Sequence, residues 1–250
     1  MEIHGLSPYR HLFFDLDRTL WDFQANSRAV LDELCTELIT GRHGVPTGAF
    51  IPVYEEVNAA LWEQLDGGVI PKETLRATRF RETLRRLGVD DAPLARQLEE
   101  QYLERCPRRA MLMPGAFNLL RDLHPHYRLH IITNGFTEVQ WLKLQAAGIR
   151  GFFAVVLTSE MAGASKPSER IFRHALRSAG AKAGDSLMIG DSARADVAGS
   201  RKAGMDQVHF VPEGEGDPDA TYCIRHLDEL RAILLPEGQG VIISGSGMKP

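Results

Sequence analysis

The sequence predicts an α/β protein: a parallel sheet covered on both faces by helices and interrupted, directly after its first strand, by a helical insert. Three observations carry that expectation. From residue 107 onward, short β-branched or aromatic runs alternate with stretches of helical periodicity, the pattern of successive βαβ units. Between Ser27 and Cys106 there is no strand signal, only helical spacing. Ahead of that stretch stands an isolated apolar run, His11–Phe14, whose pairing partners must come from the later strands.

In order along the chain, His11–Phe14 is short and aromatic-rich with polar flanks, which suits a buried strand. The stretch Leu20-Trp21-Asp22-Phe23 leads away from it. Apolar residues at Val30, Leu31, Leu34, Cys35 and Leu38 predict a helix from Asn26 to Leu38, broken by the segment Gly41–Gly48 with its Pro46. A second helix is expected over Ile51–Leu65, ended by Gly67-Gly68. Pro71 suits the first turn of a third, reaching Leu87 and stopped by Gly88, and a fourth runs from Pro93 to Arg105. Next come a helix over Gly115–Leu123, a strand over Tyr127–Ile132 stopped by Thr133-Asn134-Gly135, and a helix over Glu138–Ala147. The strand Phe152–Leu157 precedes a loop holding Ser165-Lys166-Pro167. Helix Glu169–Ala179 leads to strand Ser186–Ile189, then Gly190-Asp191-Ser192 and helix Ala193–Ala203. Strands Gln207–Val211 and Tyr222–Ile224 and a helix over Leu227–Leu234 complete the series. The expected division is an α/β core from residues 1–22 and 107–236, a helical insert over 23–106, and a Gly- and Ser-rich tail over 237–250 in which Val241-Ile242-Ile243 could still pair.

Composition narrows the function. The 250 residues are 44% hydrophobic and 25% charged with a net charge of -4, so nothing electrostatic points to nucleic acid or an anionic membrane. No apolar stretch approaches the ~20 residues that span a bilayer. Met1–Gly5 lacks the basic and apolar regions of a signal peptide. Cys35, Cys106 and Cys223 are widely spread and odd in number, which reads as reduced thiols in a cytoplasmic protein. A monomer and a homodimer are both compatible with the sequence.

The chemistry concentrates at the ends of the strands. Side chains at i and i+2 of a strand point the same way, so Asp15 and Asp17 can share one site just past the first strand. Two carboxylates that close repel unless a cation lies between them or one is protonated. In an open parallel sheet ligands bind outside the carboxyl ends of the strands. Asp15 and Asp17, Thr133-Asn134, Lys166 and Asp191 all fall at such ends. Any one of these has a plain alternative as a turn or cap residue, whereas four converging on one edge do not arise readily by accident.

These residues resemble the haloacid dehalogenase superfamily of aspartate-nucleophile phosphohydrolases, over nearly everything from Arg10 to Leu235. Four motifs occur in order: D-x-D-x-T at Asp15-Leu16-Asp17-Arg18-Thr19; an apolar strand ending in Thr at Ile131–Thr133; a lysine before a helix at Lys166-Pro167; and G-D-x-x-x-x-D from Gly190-Asp191 through Asp196. The resemblance implies a Rossmann-like core and makes the insert a type-1 cap. Leu20–Phe23 with Asn26, and Gly68–Pro71 with Arg79-Phe80, are similar to the pyrimidine 5′-nucleotidase branch.

What the resemblance implies for mechanism is specific. Asp15 is the nucleophile and forms an aspartyl-phosphate. Asp17 protonates the leaving alkoxide, for which it must be protonated when substrate is bound, and then takes a proton from the attacking water. Thr133, Asn134 and Lys166 bind phosphoryl oxygens. Mg²⁺ is held by Asp15, Asp191 and a backbone oxygen of Asp17, with Asp196 supporting the site. The substrate is a small phosphorylated metabolite, on this resemblance a nucleoside 5′-monophosphate. Rival readings are a sugar-phosphate or phosphoglycolate phosphatase, a phosphomutase, and a non-catalytic binding protein on the same fold. A dehalogenase of the superfamily lacks the acid at the Asp17 position. The insert is expected to close over the site and select the substrate, with Trp21, Trp62, Phe80, Arg76 and Arg79 as residues that line or brace the cleft. Trp62 and Phe80, each taken singly, are better explained by packing within the insert's own core.

Overall fold

The computed structural model describes residues 8–235. The expected tail and its apolar Val241–Ile243 lie outside the described residues. Six strands form one parallel sheet: β1 (His11–Phe14), β2 (Arg128–Thr133), β3 (Phe153–Thr158), β4 (Ser186–Gly190), β5 (Asp206–Phe210) and β6 (Tyr222–Ile224), in the order β3-β2-β1-β4-β5-β6. β1 is central, pairing Phe13 with His130 on one side and with Met188 on the other. The chain therefore grows outward from β1 in both directions, and the reversal puts a crevice at the carboxyl end of β1.

Strand alternation builds the two faces. Leu12, Phe14, Leu129, Ile131, Leu187 and Ile189 point into one apolar layer, covered by Leu119, Leu120 and Leu123 of α6 (Ala116–Leu123) and by Leu230 and Leu234 of α11 (Leu230–Leu234). Phe13, Ile132 and Met188 point to the other, covered by Ile171, Phe172 and Ala175 of α9 (Glu169–Ala179). A central strand buried on both faces must be apolar at every position, which is why the alternating polar residues of a half-buried strand are missing from His11–Phe14. The remaining core helices are α7 (Thr137–Ala146), the short α8 (Ser159–Ala162) and α10 (Ala198–Lys202).

Between β1 and β2 the insert is helical throughout: α1 (Phe23–Cys35), the single turn α2 (Gly41–His43), α3 (Thr47–Asp66), α4 (Lys72–Arg86) and α5 (Ala92–Arg105). Its own core is aromatic, with Phe50, Tyr54, Phe80 and Tyr102 buried against one another. α1 begins three residues earlier than expected, because the Asp22 carboxylate accepts the Ala25 N–H and caps it. Past Cys35 the helix widens into a π turn over Thr36–Thr40 instead of running straight to Leu38. α3 also starts earlier, at Thr47 rather than Ile51, and carries Pro52 inside it. A proline there forfeits one helical hydrogen bond, and the complete burial of Phe50 in the preceding turn offsets that loss.

Two strands of linker join insert and core. The outgoing one passes through Asp17–Asp22 and the returning one through Arg109–Met113, bonded as Asp22 N–H to Met111 O (3.1 Å) and Met113 N–H to Leu20 O (2.9 Å). Asn26, fully buried, staples them: its amide nitrogen donates to Asp22 O and Met111 O, and its oxygen accepts the Met111 N–H. The Trp21 indole donates to Arg109 O at 3.0 Å. No helix among the described residues is long and apolar enough to cross a membrane.

Candidate active site

β1 ends at Phe14, and the next peptide still follows the sheet: the Asp15 N–H donates to Ile189 O at 2.9 Å. The chain then folds back, with Leu20 N–H and Trp21 N–H both donating to Leu16 O. That turn requires Arg18 at φ 65°, a left-handed conformation strained for any residue with a β-carbon. The two aspartates diverge. Asp15 is buried and faces Lys166, whose Nζ lies 2.5 Å from it and 2.6 Å from Asp196. Asp17 is partly exposed, and its two oxygens go to Lys143 Nζ (2.5 Å) and Gln140 Nε2 (2.9 Å), both on α7.

The loops after β2 and β4 complete the rim. Thr133 closes β2, and its hydroxyl accepts the Gly135 N–H. Asn134 grips the Lys166 peptide from both sides, its oxygen accepting Lys166 N–H at 2.8 Å and its nitrogen donating to Lys166 O at 3.0 Å. The same nitrogen reaches Asp66 at the end of α3. After β4, Asp196 accepts the Ser192 N–H with one oxygen and Lys166 with the other. Glycine is obligatory at Gly190, where a β-carbon would stand 2.3 Å from the Asp196 carboxyl, and at Gly135, where it would meet Gln140 at 1.8 Å.

Charge is unbalanced here. Asp15, Asp191 and Asp196 each place a carboxylate oxygen within 4.8 Å of the others, with one lysine among them. Burial, together with the neighbouring carboxylates and against the pull of Lys166, pushes the Asp15 carboxyl well above its ordinary range. Burial and then Asp196 push Asp191 up to about 6. Three converging carboxylates with that excess of negative charge are a hard-oxygen donor set that fits a small divalent cation. The carboxylate of Asp17 points into the Lys143 pair, so any part it takes in such a site falls to its backbone oxygen.

Of the residues assigned to the insert's closing role, Trp62 lines the cleft over these carboxylates, which has a volume of about 240 Å³. Its ring stacks on Phe136 of the core at 5.1 Å. Arg76 bonds Glu138 on α7, alongside Lys72, which reaches Glu138 and Glu160. Phe80 belongs to the insert's core, and Arg79 is buried in a two-pronged ion pair with Glu99. Trp21 lies under the Lys143 ammonium, 4.2 Å from its ring. Reading the sequence missed Lys143, Gln140 and Asn58. For the first two a signal existed: α7 buries Gln140, Lys143 and Leu144 at i, i+3 and i+4, two polar residues on an inward face.

A buried carboxylate paired with a buried lysine, at the switch point of a parallel sheet and under a helical insert, fits a phosphatase of the capped α/β class. Comparison with protein families matches residues 9–204 to the haloacid dehalogenase-like hydrolases, and the chain belongs to that family. The solved structure of HAD-hydrolase YfnB from Bacillus subtilis, bound to magnesium and showing interdomain movement, superposes with a TM-score of 0.81 at 32% identity, covering 90% of this chain and 98% of that one. Pyrimidine 5′-nucleotidase YjjG of Escherichia coli is 30% identical over 89% of this chain and 96% of its own. Pyrimidine 5′-nucleotidase PynA of Streptococcus pneumoniae is 33% identical over 82% and 84%.

Proposed function

We propose that this phosphatase is a magnesium-dependent nucleoside 5′-monophosphate hydrolase that works through an aspartyl-phosphate on Asp15. The observation that carries the reading is the separation of roles between the two aspartates: Asp15 is buried against Lys166 beside Asp191 and Asp196, while Asp17 is held apart by Lys143 and Gln140. A nucleophile and a proton carrier need different surroundings, and the turn that follows β1 provides them.

In this mechanism Lys166, Thr133 and the adjacent backbone N–H groups bind the phosphoryl oxygens, and Asn134 keeps Lys166 in place through its peptide. Asp15 attacks phosphorus in line with the ester oxygen, which departs with a proton from Asp17. The ionised Asp17 then takes a proton from the water that cleaves the acyl phosphate, and Lys143 fixes its direction. Asp15, Asp191 and the Asp17 backbone oxygen would hold Mg²⁺, with Asp196 supporting them, and the ion supplies the positive charge that lets an anionic nucleophile approach an anionic ester. The nucleotide preference rests on the two nucleotidase relatives and on the aromatic lining of the cleft by Phe23 and Trp62.

Turnover of p-nitrophenyl phosphate with Mg²⁺ and with EDTA tests the chemistry; equal rates in both remove the metal from the reading. A panel of nucleotides and sugar phosphates tests the substrate. Sugar phosphates or phosphoglycolate outrunning every nucleotide would overturn the nucleotide assignment and leave the phosphatase intact.

A further inference from the structure

Asn58 sits in the middle of α3 and is 6% exposed, yet its side-chain oxygen has no protein partner. A buried amide oxygen left unbonded forfeits the hydrogen bonds it made in water, and native structures rarely keep one without a use. Its place suggests the use. Asn58 lines the cleft over the catalytic carboxylates and also the groove that continues outward between α1 and α3. Phe23 lines both spaces with it, and Trp62 lines the cleft.

The surrounding charges are already committed. Arg79 is paired with Glu99 inside the insert, and Arg28 with Glu55 at 2.6 Å on the groove's rim. The Arg18 guanidinium lines both spaces as well and rests over the Phe23 ring, 5.3 Å from its centre. What the insert offers deeper in the cleft is an uncharged group with one accepting and one donating end, beside aromatic side chains. Asn58 itself is neutral and offers a carboxylate or an ammonium on the leaving group no counter-charge. A flat neutral ring that presents a donor next to an acceptor would satisfy both ends of the amide, as an imide or an aminopyrimidine edge does, with the amide turned either way.

We propose that Asn58 is the specificity-determining residue of this enzyme: its amide reads the hydrogen-bonding edge of a pyrimidine base, with Phe23 and Trp62 as the apolar walls. This assignment rests on the nucleotidase reading and deepens it to a residue.

The test compares three substrates in wild type and Asn58→Leu: a pyrimidine nucleoside 5′-monophosphate, ribose 5-phosphate and p-nitrophenyl phosphate. Leucine keeps the volume and removes both hydrogen-bonding ends. The expected result is a fall in kcat/KM for the nucleotide of about 10- to 100-fold, carried mainly by KM. Ribose 5-phosphate and p-nitrophenyl phosphate, which have no base edge, stay within about twofold. Equal losses on all three substrates, or none on the nucleotide, overturn the assignment; so does an equal loss on ribose 5-phosphate, which would place the sugar at Asn58. Asn58→Ala, with the thermal midpoint recorded, repeats the comparison should the leucine variant fold poorly. The two readings fail separately. Wild type that prefers a different phosphomonoester sinks the nucleotide function, whereas wild type that prefers the nucleotide with an indifferent Asn58→Leu sinks only this residue's role.

Discussion

The two walls of the cleft treat their polar groups in opposite ways. On the core side nearly everything is mutually bonded: Lys166 to Asp15 and Asp196, Asn134 to the Lys166 peptide, Lys143 and Gln140 to Asp17. On the insert side Asp66 takes the Asn134 amide and Arg79 is tied up with Glu99, while a neutral amide with an unbonded oxygen lines the cleft. The difference follows from what each wall meets. A phosphoryl group has the same shape and charge in every substrate, so donors for it can be assembled in advance. The leaving group varies, and a wall that distinguishes one from another must hold a group open for it.

That contrast breaks at its root if the core wall is not the catalytic one. Asp15→Asn keeps the shape of the side chain but can neither attack phosphorus nor carry the full charge opposite Lys166. Turnover of p-nitrophenyl phosphate should fall at least ~10³-fold, and hydroxylamine-sensitive phosphate should vanish from the protein. Retention of more than a few percent of wild-type rate would show that another group attacks.

The core also carries a buried histidine pair with a pH signature of its own. His130 on β2 is 1% exposed, stacked on Phe13 and 3.0 Å from His11. Its Nδ1 has no protein partner, so the favoured tautomer leaves Nδ1 as a bare acceptor and donates from Nε2 to His11. Burial, then the neighbouring His11, pulls its pKa down to about 4, and burial lowers His11 as well. Between about pH 6.5 and that lowered value the unfolded chain binds a proton that the folded chain refuses, so stability is lost as pH falls through this window. The loss from His130 reaches about 3 kcal/mol. Because the raised Asp15 and Asp191 act the other way, the comparison is between variants: the urea midpoint of His130→Phe should gain on wild type as pH falls from about 7.5 to about 5. An unchanged slope in that variant would assign the effect elsewhere.

A sharper division concerns Lys143, which belongs to the core and pairs with Asp17. Lys143→Met should lower kcat for an alkyl phosphate by about 10- to 30-fold through loss of a fixed proton carrier. p-Nitrophenyl phosphate, whose leaving group departs without a proton, should lose much less. Equal losses on both esters would mean that Lys143 supports the fold rather than the proton transfer.

The smallest effect is expected where the walls meet. Lys72 and Arg76 of the insert converge on Glu138, whose carboxyl these partners bring down to about 2 against the opposing effect of burial. Glu138 is half exposed, and pairs of that kind contribute roughly 0.2–1 kcal/mol. Glu138→Gln should therefore raise KM by about two- to fivefold while weakening its dependence on salt, with kcat nearly unchanged. A large drop in kcat would make this contact part of the chemistry.

Much of this was legible beforehand. The alternation of short strands and helices from residue 107 gave the sheet, and the helix-only stretch gave the insert, because periodicity records which faces are buried. The residues at the strand ends were readable for the same reason: in a parallel sheet the position of Asp15, Thr133, Lys166 and Asp191 along the chain already places them on one edge. Tertiary structure alone decided the rest. The chain leaves the sheet after Asp15 and folds back on Leu16, so two carboxylates that share a side on an ideal strand have different partners. The roll of α7 presents Lys143 and Gln140 to Asp17, and the seating of α3 brings Asn58 to the cleft. Local pattern reports whether a residue is buried; the partner it meets depends on how whole helices rotate and pack, which is set by contacts far apart in sequence.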